Sequence, residues 1–256
     1  MIDLSGKITA LYRHPVKGFT PEAITEACLS EGAFFPFDRV YTFEVGPSGY
    51  QESDPIFLSK MKYAVLARFS AVARLKTRYD EIEDAFHADG VAFDLKSEAG
   101  RHALCRHVEN VLMQHEDYDP VALPLNLLRI RETEIPHFRF TDSPKGFVSL
   151  LNLNSLRDLE MRSGVSLDPL RLRANIWLED LGAFEDHQWV GKRLKLSEDG
   201  PELEVIKPIE RCMATHVNPE TAKRDFEFVS ALWHNYGHKD LGVYCRVVKS
   251  GEVRPA

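Results

Sequence analysis

The chain has 256 residues, of which 44% are hydrophobic and 28% are charged, a composition typical of a globular protein that needs no disulfide bonds to fold. Its net charge is −7, whereas proteins that bind nucleic acids usually carry a basic face. We therefore expect no nucleic-acid partner. The cysteines form no C-x-x-C pair, which argues against a zinc site or a disulfide framework and favours reduced thiols; they are Cys28, Cys105, Cys212 and Cys245.

Two absences bear on where the protein works. Residues 1–17 contain no basic stretch followed by an apolar segment, so we expect no signal peptide. No apolar run approaches the roughly 20 residues that span a bilayer. The sequence therefore predicts a cytoplasmic protein that does not associate with a membrane.

Most predicted elements in the first half of the chain are short strands. Alternating apolar and polar residues between turn residues predict strands over 7–12, 22–29, 39–45, 72–79, 85–87 and 91–95. Residues 88–90 (Ala-Asp-Gly) predict a hairpin between the last two. Apolar residues at helical spacing then predict a helix over 98–115.

The second half is also rich in strands, which are predicted over 125–131, 147–151, 194–196, 203–206, 243–248 and 252–254. Turn residues at 198–201 and 249–251 predict two hairpins. One helix is predicted to begin at Asn154 or Ser155 and to end before Gly164, and another covers 226–236. Strands and helices do not alternate regularly, so we predict a mainly β fold (α+β) with peripheral helices, built on a barrel or mixed sheet. A boundary falls near residue 95.

Three segments carry residues suited to binding an anion or a metal. The first, His14 to Gly18, follows the first long strand; its glycine would let the backbone approach a phosphate, and Lys17 would add a positive charge. From the spacing alone, a plain turn with a solvated lysine is the favoured alternative. Arg39, after Asp38, is either part of a buried ion pair or a second cation for the same phosphate.

The second segment runs from Asp168 to Asn175 and contains Arg171 and Arg173. On an extended chain, side chains two positions apart point to the same side, and guanidinium groups bind phosphate through paired hydrogen bonds. The alternative is that both arginines form structural ion pairs with nearby carboxylates.

The third segment places Cys212 next to Arg211, directly after a predicted strand. Nearby positive charge favours a thiolate, which is a soft ligand for a transition metal. An inert buried cysteine is the alternative. The nearby histidines have no usual zinc-binding spacing and are predicted to be structural or exposed; they are His216, His234 and His238.

Together these segments resemble the MOSC domain, the C-terminal domain of molybdenum cofactor sulfurases. Arg171 to Leu178 resembles its R-F-R-x-N signature, and 207–225 resembles its R-C-x-x-T-x-V-x-P-x-T stretch. Further segments resemble the family's later motifs and the β-barrel domain that precedes MOSC in many members; they are 14–18, Gly32 with Asp38-Arg39, 57–59, 189–191 and 242–244. The resemblance implies a smaller N-terminal β-barrel-like domain over 1–95 and a MOSC-type β-barrel over 96–256.

The resemblance also implies a molybdenum-pterin cofactor (molybdopterin). Cys212 would ligate the metal and be the catalytic residue, Arg173 would contact the pterin, and Lys17 and Arg39 would lie around its phosphate. The full implied set of cofactor-binding residues is Lys17, Arg39, Asn152, Ser155, Arg171, Arg173 and Asn175. The sequence departs from the family pattern at His14, Gly18 and Asn152, where relatives have tyrosine, serine and serine.

The similar enzymes reduce amidoximes, so the resemblance implies an oxidoreductase that acts on N-hydroxylated small molecules. No iron–sulfur domain accompanies the predicted domains, which implies a separate protein as electron donor. Two alternatives remain open. Cys212 would carry a persulfide received from a separate sulfur donor in a sulfurtransferase, or the protein would carry the cofactor without turning over a substrate.

Overall fold

The computed structural model describes residues 1–115, 123–130, 138–142 and 148–256. The strands are β1 (Ile2–Asp3), β2 (Ile8–Arg13), β3 (Glu22–Ile24), β4 (Ala27–Leu29), β5 (Tyr41–Val45), β6 (Thr77–Asp80), β7 (Ala85–Ala88), β8 (Val91–Asp94), β9 (Leu125–Arg129), β10 (Val148–Asn152), β11 (Ile176–Leu178), β12 (Arg193–Lys195), β13 (Glu202–Glu210), β14 (Asp240–Lys249) and β15 (Gly251–Val253). The α-helices are α1 (Glu98–Met113), α2 (Leu153–Ser163) and α3 (Phe228–Tyr236). The mainly β prediction with peripheral helices is confirmed.

The largest sheet has eight strands in the order β1-β12-β13-β14-β10-β11-β2-β3. Its pairs are antiparallel except β1–β12 and β10–β11. The predicted barrel is wrong for the described strands, because β1 and β3 lie at opposite edges and do not pair with each other. These edge strands are two and three residues long, so they offer few backbone groups with which to close the sheet.

Strands from both ends of the chain share this sheet. The N-terminal β1 pairs with β12, and β2 pairs with β11. The core beneath it likewise joins distant residues, from Leu4 and Leu11 to Val243 and Val253. The division at residue 95 stays a prediction, but the first strands pack as part of the same sheet as the C-terminal ones.

A second core lies under α1. Phe43 of β5, Phe86 of β7 and Leu104 of α1 belong to one buried cluster, which is covered by the β5–β9 pair and by the three-stranded sheet β6-β7-β8. Leu104 and Val108 lie four positions apart on α1 and are both buried, so one stripe of the helix faces this core.

Two sequence predictions in these layers are wrong. The predicted strand 72–79 is split into a 3-10 helix, Ser70–Arg74, and β6. The predicted C-terminal hairpin does not form, since β15 pairs with β4. One edge of β14 pairs with β13 between Asp240 and Lys249, and at the other edge β10 pairs with 243–245 and Gly32 N donates to Val247 O at 3.0 Å. β15 therefore pairs elsewhere. The hairpins β7–β8 and β12–β13 form as predicted.

The helix ends follow local capping rules. The side chain of Asn152 accepts a hydrogen bond from Asn154 N and caps α2, two residues earlier than predicted. Gly164 and Gly237 adopt left-handed conformations and end α2 and α3 as predicted. No helix within the described ranges is long and apolar enough to cross a membrane.

Candidate functional site

The loop that follows β2 pairs with the segment that leads into β5. Arg39 N donates to His14 O at 2.7 Å, Tyr41 N to Pro15 O at 2.9 Å, and Lys17 N to Tyr41 O at 2.9 Å. These backbone bonds bring Lys17 and Arg39 together, although 21 residues lie between them in the sequence. Lys17 of the first segment and Arg39 therefore line the same cavity because of this pairing.

A cavity of about 90 Å³, open to solvent on one side, lies beside this loop. Basic side chains dominate its wall, and two carboxylates, Asp142 and Glu210, also face it. The thiol-bearing Cys212 lines the same cavity. The basic residues that line it are Lys17, Arg39, Lys60, Arg171, Arg173 and Arg211. The structure thus brings five predicted site residues together, namely Lys17, Arg39, Arg171, Arg173 and Cys212.

One carboxylate lies among the lysines of the cavity. Asp142 forms an ion pair with Lys17, and its other oxygen lies 4.0 Å from Lys60 Nζ. Burial by itself would raise the pKa of Asp142, but the two lysines hold it below its usual value. Lys17 also donates to Phe140 O at 2.8 Å, and burial lowers its pKa despite the ion pair. This position therefore already accommodates a negative group.

Arg39 is held in place by buried neighbours. It adopts a left-handed conformation with φ of 56°, forms an ion pair with Asp38, and donates to Arg173 O at 3.1 Å. Asp38 also accepts a hydrogen bond from His14 N at 2.8 Å. Burial lowers the pKa of His14 to about 3, so this imidazole is neutral at neutral pH and does not add to the positive charge.

The segment around the two arginines is not extended, contrary to the sequence prediction. Pro169–Leu172 form a 3-10 helix, and Arg173 follows in a left-handed conformation with φ of 52°. Asp168 caps this short helix by accepting from Leu170 N at 2.8 Å. The proline favours a helical start over a strand, and the left-handed residue turns the chain so that both arginines still line the cavity.

The two arginines differ in how they are paired. Both Nη atoms of Arg171 are paired, with Asp225 at 2.6 Å and with His216 O at 3.0 Å, whereas its buried Nε has no hydrogen-bond partner among the described residues. Arg173 donates from Nη1 to Phe19 O at 2.5 Å, whereas its buried Nη2 has no hydrogen-bond partner among the described residues. Burial, reinforced by Arg39, lowers the pKa of Arg173 to about 9, so the group remains charged at neutral pH.

Cys212 lies at the start of a 3-10 helix, Met213–His216, immediately after β13. Its carbonyl accepts from Thr215 N at 3.0 Å and from Thr215 Oγ1 at 2.8 Å, which fixes the turn. The thiol lies close to Lys60: burial opposes protonation of that lysine, but Asp142 and Cys212 together raise its pKa. Cys212 is half-buried, so the thiol is accessible from the cavity.

Part of the chain matches a known family. A family model described as the MOSC domain matches residues 137–256, which are 120 of the 256 residues. This stretch of the chain is therefore similar to the MOSC domain. Two solved structures show weaker likeness. The YuaD protein from Bacillus subtilis has a TM-score of 0.42 and 12% identity, covering 97% of this chain and 91% of that chain. YiiM from Geobacillus stearothermophilus has a TM-score of 0.30 and 20% identity, covering 44% and 52%. No curated protein matches the sequence.

The MOSC family is associated with binding of the molybdenum cofactor, and the cavity is chemically suited to such a group. Its basic side chains outnumber its carboxylates, as a phosphate requires. The unpartnered Nη2 of Arg173 is a buried donor available to a ligand. The half-buried Cys212 offers a sulfur ligand in the same cavity.

Three other predicted site residues of the MOSC domain bond within the protein. Asn175 lies beside the cavity, where its Oδ1 accepts from Ser149 Oγ at 2.8 Å and its Nδ2 donates to Tyr12 O at 3.1 Å. Asn152 donates to Gly182 O at 2.7 Å, and Ser155 Oγ accepts from Phe184 N at 2.8 Å. Asn152 and Ser155 do not line the cavity.

Several residues that line the cavity were not in the predicted set. Lys60 directly follows a segment that resembles the family, and Arg211 is the neighbour of Cys212, so sequence position offered a signal for both. Tyr244 lies in the segment 242–244, which also resembles the family, whereas Ser149 offered no signal. They face each other across the β10–β14 pair, a register that only the folded sheet reveals.

Proposed function

We propose that this protein binds a molybdenum-pterin cofactor in the cavity that joins Lys17 to Cys212. The single observation that carries the proposal is the presence of the basic cluster and the half-buried thiol in one cavity. A cofactor with a phosphate at one end and a soft metal at the other needs both kinds of group. The overall charge of −7 makes a local basic cavity more distinctive.

Different residues of the cavity would bind the phosphate, the pterin and the metal. Lys17, Arg39 and Lys60 surround the position of the Asp142 carboxylate and would hold the phosphate, which would compete with Asp142 for the lysines. Arg173 would direct its unpartnered Nη2 to the pterin. Cys212, as the thiolate, would ligate the metal. The protein's own contribution is to bind and orient the cofactor.

The reaction we propose is the reduction of an N-hydroxylated small molecule. An N–OH group, two electrons and two protons give N–H and water, and the electrons come from a separate electron-donor protein. The cofactor supplies two-electron oxygen-atom-transfer chemistry when bound. The proposal retains the expectation of a cytoplasmic protein, where Cys212 would stay reduced.

The first test is the molybdenum and pterin content of the protein purified from a host that makes the cofactor. We expect near-stoichiometric molybdenum and pterin in the wild type. Cys212→Ser should retain pterin, lose one sulfur ligand in the X-ray absorption spectrum of molybdenum, and lose reduction of an N-hydroxylated substrate by a reduced viologen dye. The control is Cys28→Ser, since Cys28 is exposed and outside the cavity.

Two outcomes would overturn this proposal. Absence of pterin from the wild type, when the same host loads another molybdenum protein, would remove the cofactor. Undiminished turnover by Cys212→Ser would remove the role of the thiolate. A loaded protein that reduces no N-hydroxylated compound with any donor would instead favour a cofactor carrier.

Sulfur transfer is the second candidate, and it is favoured by the position of Lys60 beside the Cys212 thiol. A cation next to the sulfur would stabilise an anionic persulfide as it would a thiolate. After incubation with a cysteine desulfurase and cysteine, this function predicts that the intact mass gains one sulfur atom. The gain should be absent from Cys212→Ser and present in Cys28→Ser.

A further inference from the structure

A second cavity adjoins the one that contains Cys212. It has a volume of about 230 Å³. Four residues line both cavities, so the two share a wall; they are Gly18, Leu66, Arg171 and Arg173. The rest of the second cavity is formed by the loop after β2, the 3-10 helix Ser70–Arg74, and the chain that follows the Cys212 turn.

The interior of the second cavity is largely apolar. Phe19 and Val217 are each 1% exposed, and Leu66 is also buried. The Phe19 ring is fixed by stacking on Phe43, with centroids 4.9 Å apart. Ala73 contributes a small side chain to the same wall. Such a surface favours a ring-containing, apolar molecule, because burying apolar area is favourable and a fixed wall costs no reorganisation.

Charges at the rim largely cancel. Lys76 donates to Pro219 O at 3.2 Å, and Asp168 accepts from Leu170 N at 2.8 Å. With Glu220, these are two carboxylates against one amine, which disfavours a ligand with a full negative charge at the rim. A neutral body is the better match.

The shared wall has a different character. Arg171 is neutralised by Asp225, and both of its Nη atoms are hydrogen-bonded, although its buried Nε is not. Arg173, by contrast, has a buried terminal nitrogen, Nη2, without a hydrogen-bond partner in the described ranges. A strong acceptor at this wall would satisfy a donor that is costly to leave unpaired. It would also point its head group toward the cavity that contains Cys212.

We propose that the second cavity binds the substrate's body, and that the substrate is an apolar, ring-containing molecule with a dipolar N–O oxygen. Arg173 Nη2 carries two N–H bonds: one would be directed to the pterin when the cofactor is bound, and the other would donate to the substrate's N–O oxygen. This inference rests on the proposed function for its direction, since the N–O group would face the cofactor. The binding site itself needs only the two cavities and Arg173.

The experiment measures binding of quinoline N-oxide and quinoline, two probes that differ by one oxygen, by calorimetry on the full-length, cofactor-free protein. The wild type should bind one N-oxide, with quinoline weaker by about tenfold or more. Arg173→Met should remove that preference. Ala73→Trp should fill the second cavity and weaken both probes by about tenfold or more, and Ala73→Leu, a milder substitution, should weaken both by less.

The matched control is Ala67→Trp, because Ala67 is likewise half-buried but lines only the cavity with Cys212. It should change the affinity for the N-oxide less than about threefold. Binding that is lost in Ala67→Trp but kept in Ala73→Trp would overturn the inference, as would no preference for the N-oxide in the wild type.

The pterin content of the protein distinguishes a failure of the second cavity as a binding site from a failure of the proposed cofactor site. Ala73→Trp, expressed in a cofactor-making host, should keep the pterin content of the wild type. If the wild type lacks pterin but shows binding sensitive to Ala73→Trp, the cofactor proposal fails and the N–O site stands. If the wild type is loaded but binds neither probe, the site fails and the cofactor proposal stands.

Discussion

Two buried polar clusters in this protein look alike in the sequence but differ in the structure. At the start of α2, Asn152 and Ser155 make hydrogen bonds to the chain around Gly182 and Phe184. In the cavity, by contrast, basic side chains outnumber carboxylates, and Arg173 has a donor without a partner among the described residues. For Asn152 and Ser155 against Arg173, the comparison teaches that pairing, rather than polarity or burial, separates residues that hold the fold from residues available to a ligand. Asp186, beside Asn152, is the exception, because its buried Oδ2 has no hydrogen-bond partner among the described residues.

Arg211 does not fit this comparison, because it lines the cavity but its side chain is hydrogen-bonded to backbone carbonyls, as in a structural residue. It donates to Leu172 O at 2.7 Å and from Nε to Leu241 O at 2.8 Å. Arg211→Ala should leave buried carbonyls unpaired and lower the free energy of unfolding by about 3–5 kcal/mol. Urea denaturation measures this. The control, Arg246→Ala, removes an exposed pair with Glu204 and should cost below about 1 kcal/mol.

Asn152 tests the structural cluster. Asn152→Ala removes the cap of α2 and the hydrogen bond to Gly182 O, so it should lower the free energy of unfolding by about 2 kcal/mol. The molybdenum and pterin content of the protein that folds should equal that of the wild type. A variant of normal stability that loses the pterin would assign Asn152 to the cofactor, as the resemblance implied, and would break the comparison.

Asp186 makes the same cluster sensitive to pH. It is fully buried, its Oδ2 has no hydrogen-bond partner among the described residues, and burial raises its pKa to about 6. The folded state therefore binds a proton on the Asp186 carboxyl more tightly than the unfolded state does. The contribution of this proton to the free energy of unfolding is present at low pH and is lost as pH rises through about 4 to 6. Above this pH range, the free energy of unfolding of Asp186→Asn should exceed that of the wild type by on the order of 2 kcal/mol.

Urea denaturation across this pH range tests the effect of Asp186. The difference between wild type and variant should grow as pH rises and then level off. Asp199→Asn, in the exposed turn between β12 and β13, should leave the pH profile unchanged. A difference that is constant with pH would show that Asp186 has no raised pKa.

The smallest expected effect is a gain in stability at Arg173. In the cofactor-free protein, Arg173→Met removes a buried charge that has one hydrogen bond, to Phe19 O, and should raise the free energy of unfolding by about 1 kcal/mol. Pterin content should fall in the same variant. Arg193→Met, at an exposed position of β12, should change neither quantity. A loss of stability in Arg173→Met would place Arg173 with Arg211 among the structural residues.

Local signals in the sequence predicted local structure well. Stripes of apolar residues located α1, and Gly164 and Gly237 marked the ends of α2 and α3. Signals failed where the partner of a segment was decided elsewhere. The sequence 249–251 reads as a hairpin turn, but β14 is already paired on both edges, so β15 joins β4.

The candidate site shows the same difference between what local sequence signals predict and what distant segments decide. The sequence by itself determined which residue types were available, because Lys17, Arg39, Arg173 and Cys212 stand in segments that resemble the MOSC family. Only the tertiary structure decided which of them meet. The pairing of the loop after β2 with residues 39–41, and the left-handed turn at Arg173, bring these side chains to one cavity while Asn152 is bonded elsewhere. A sequence pattern reports local preference, whereas a shared cavity depends on backbone pairings between distant segments.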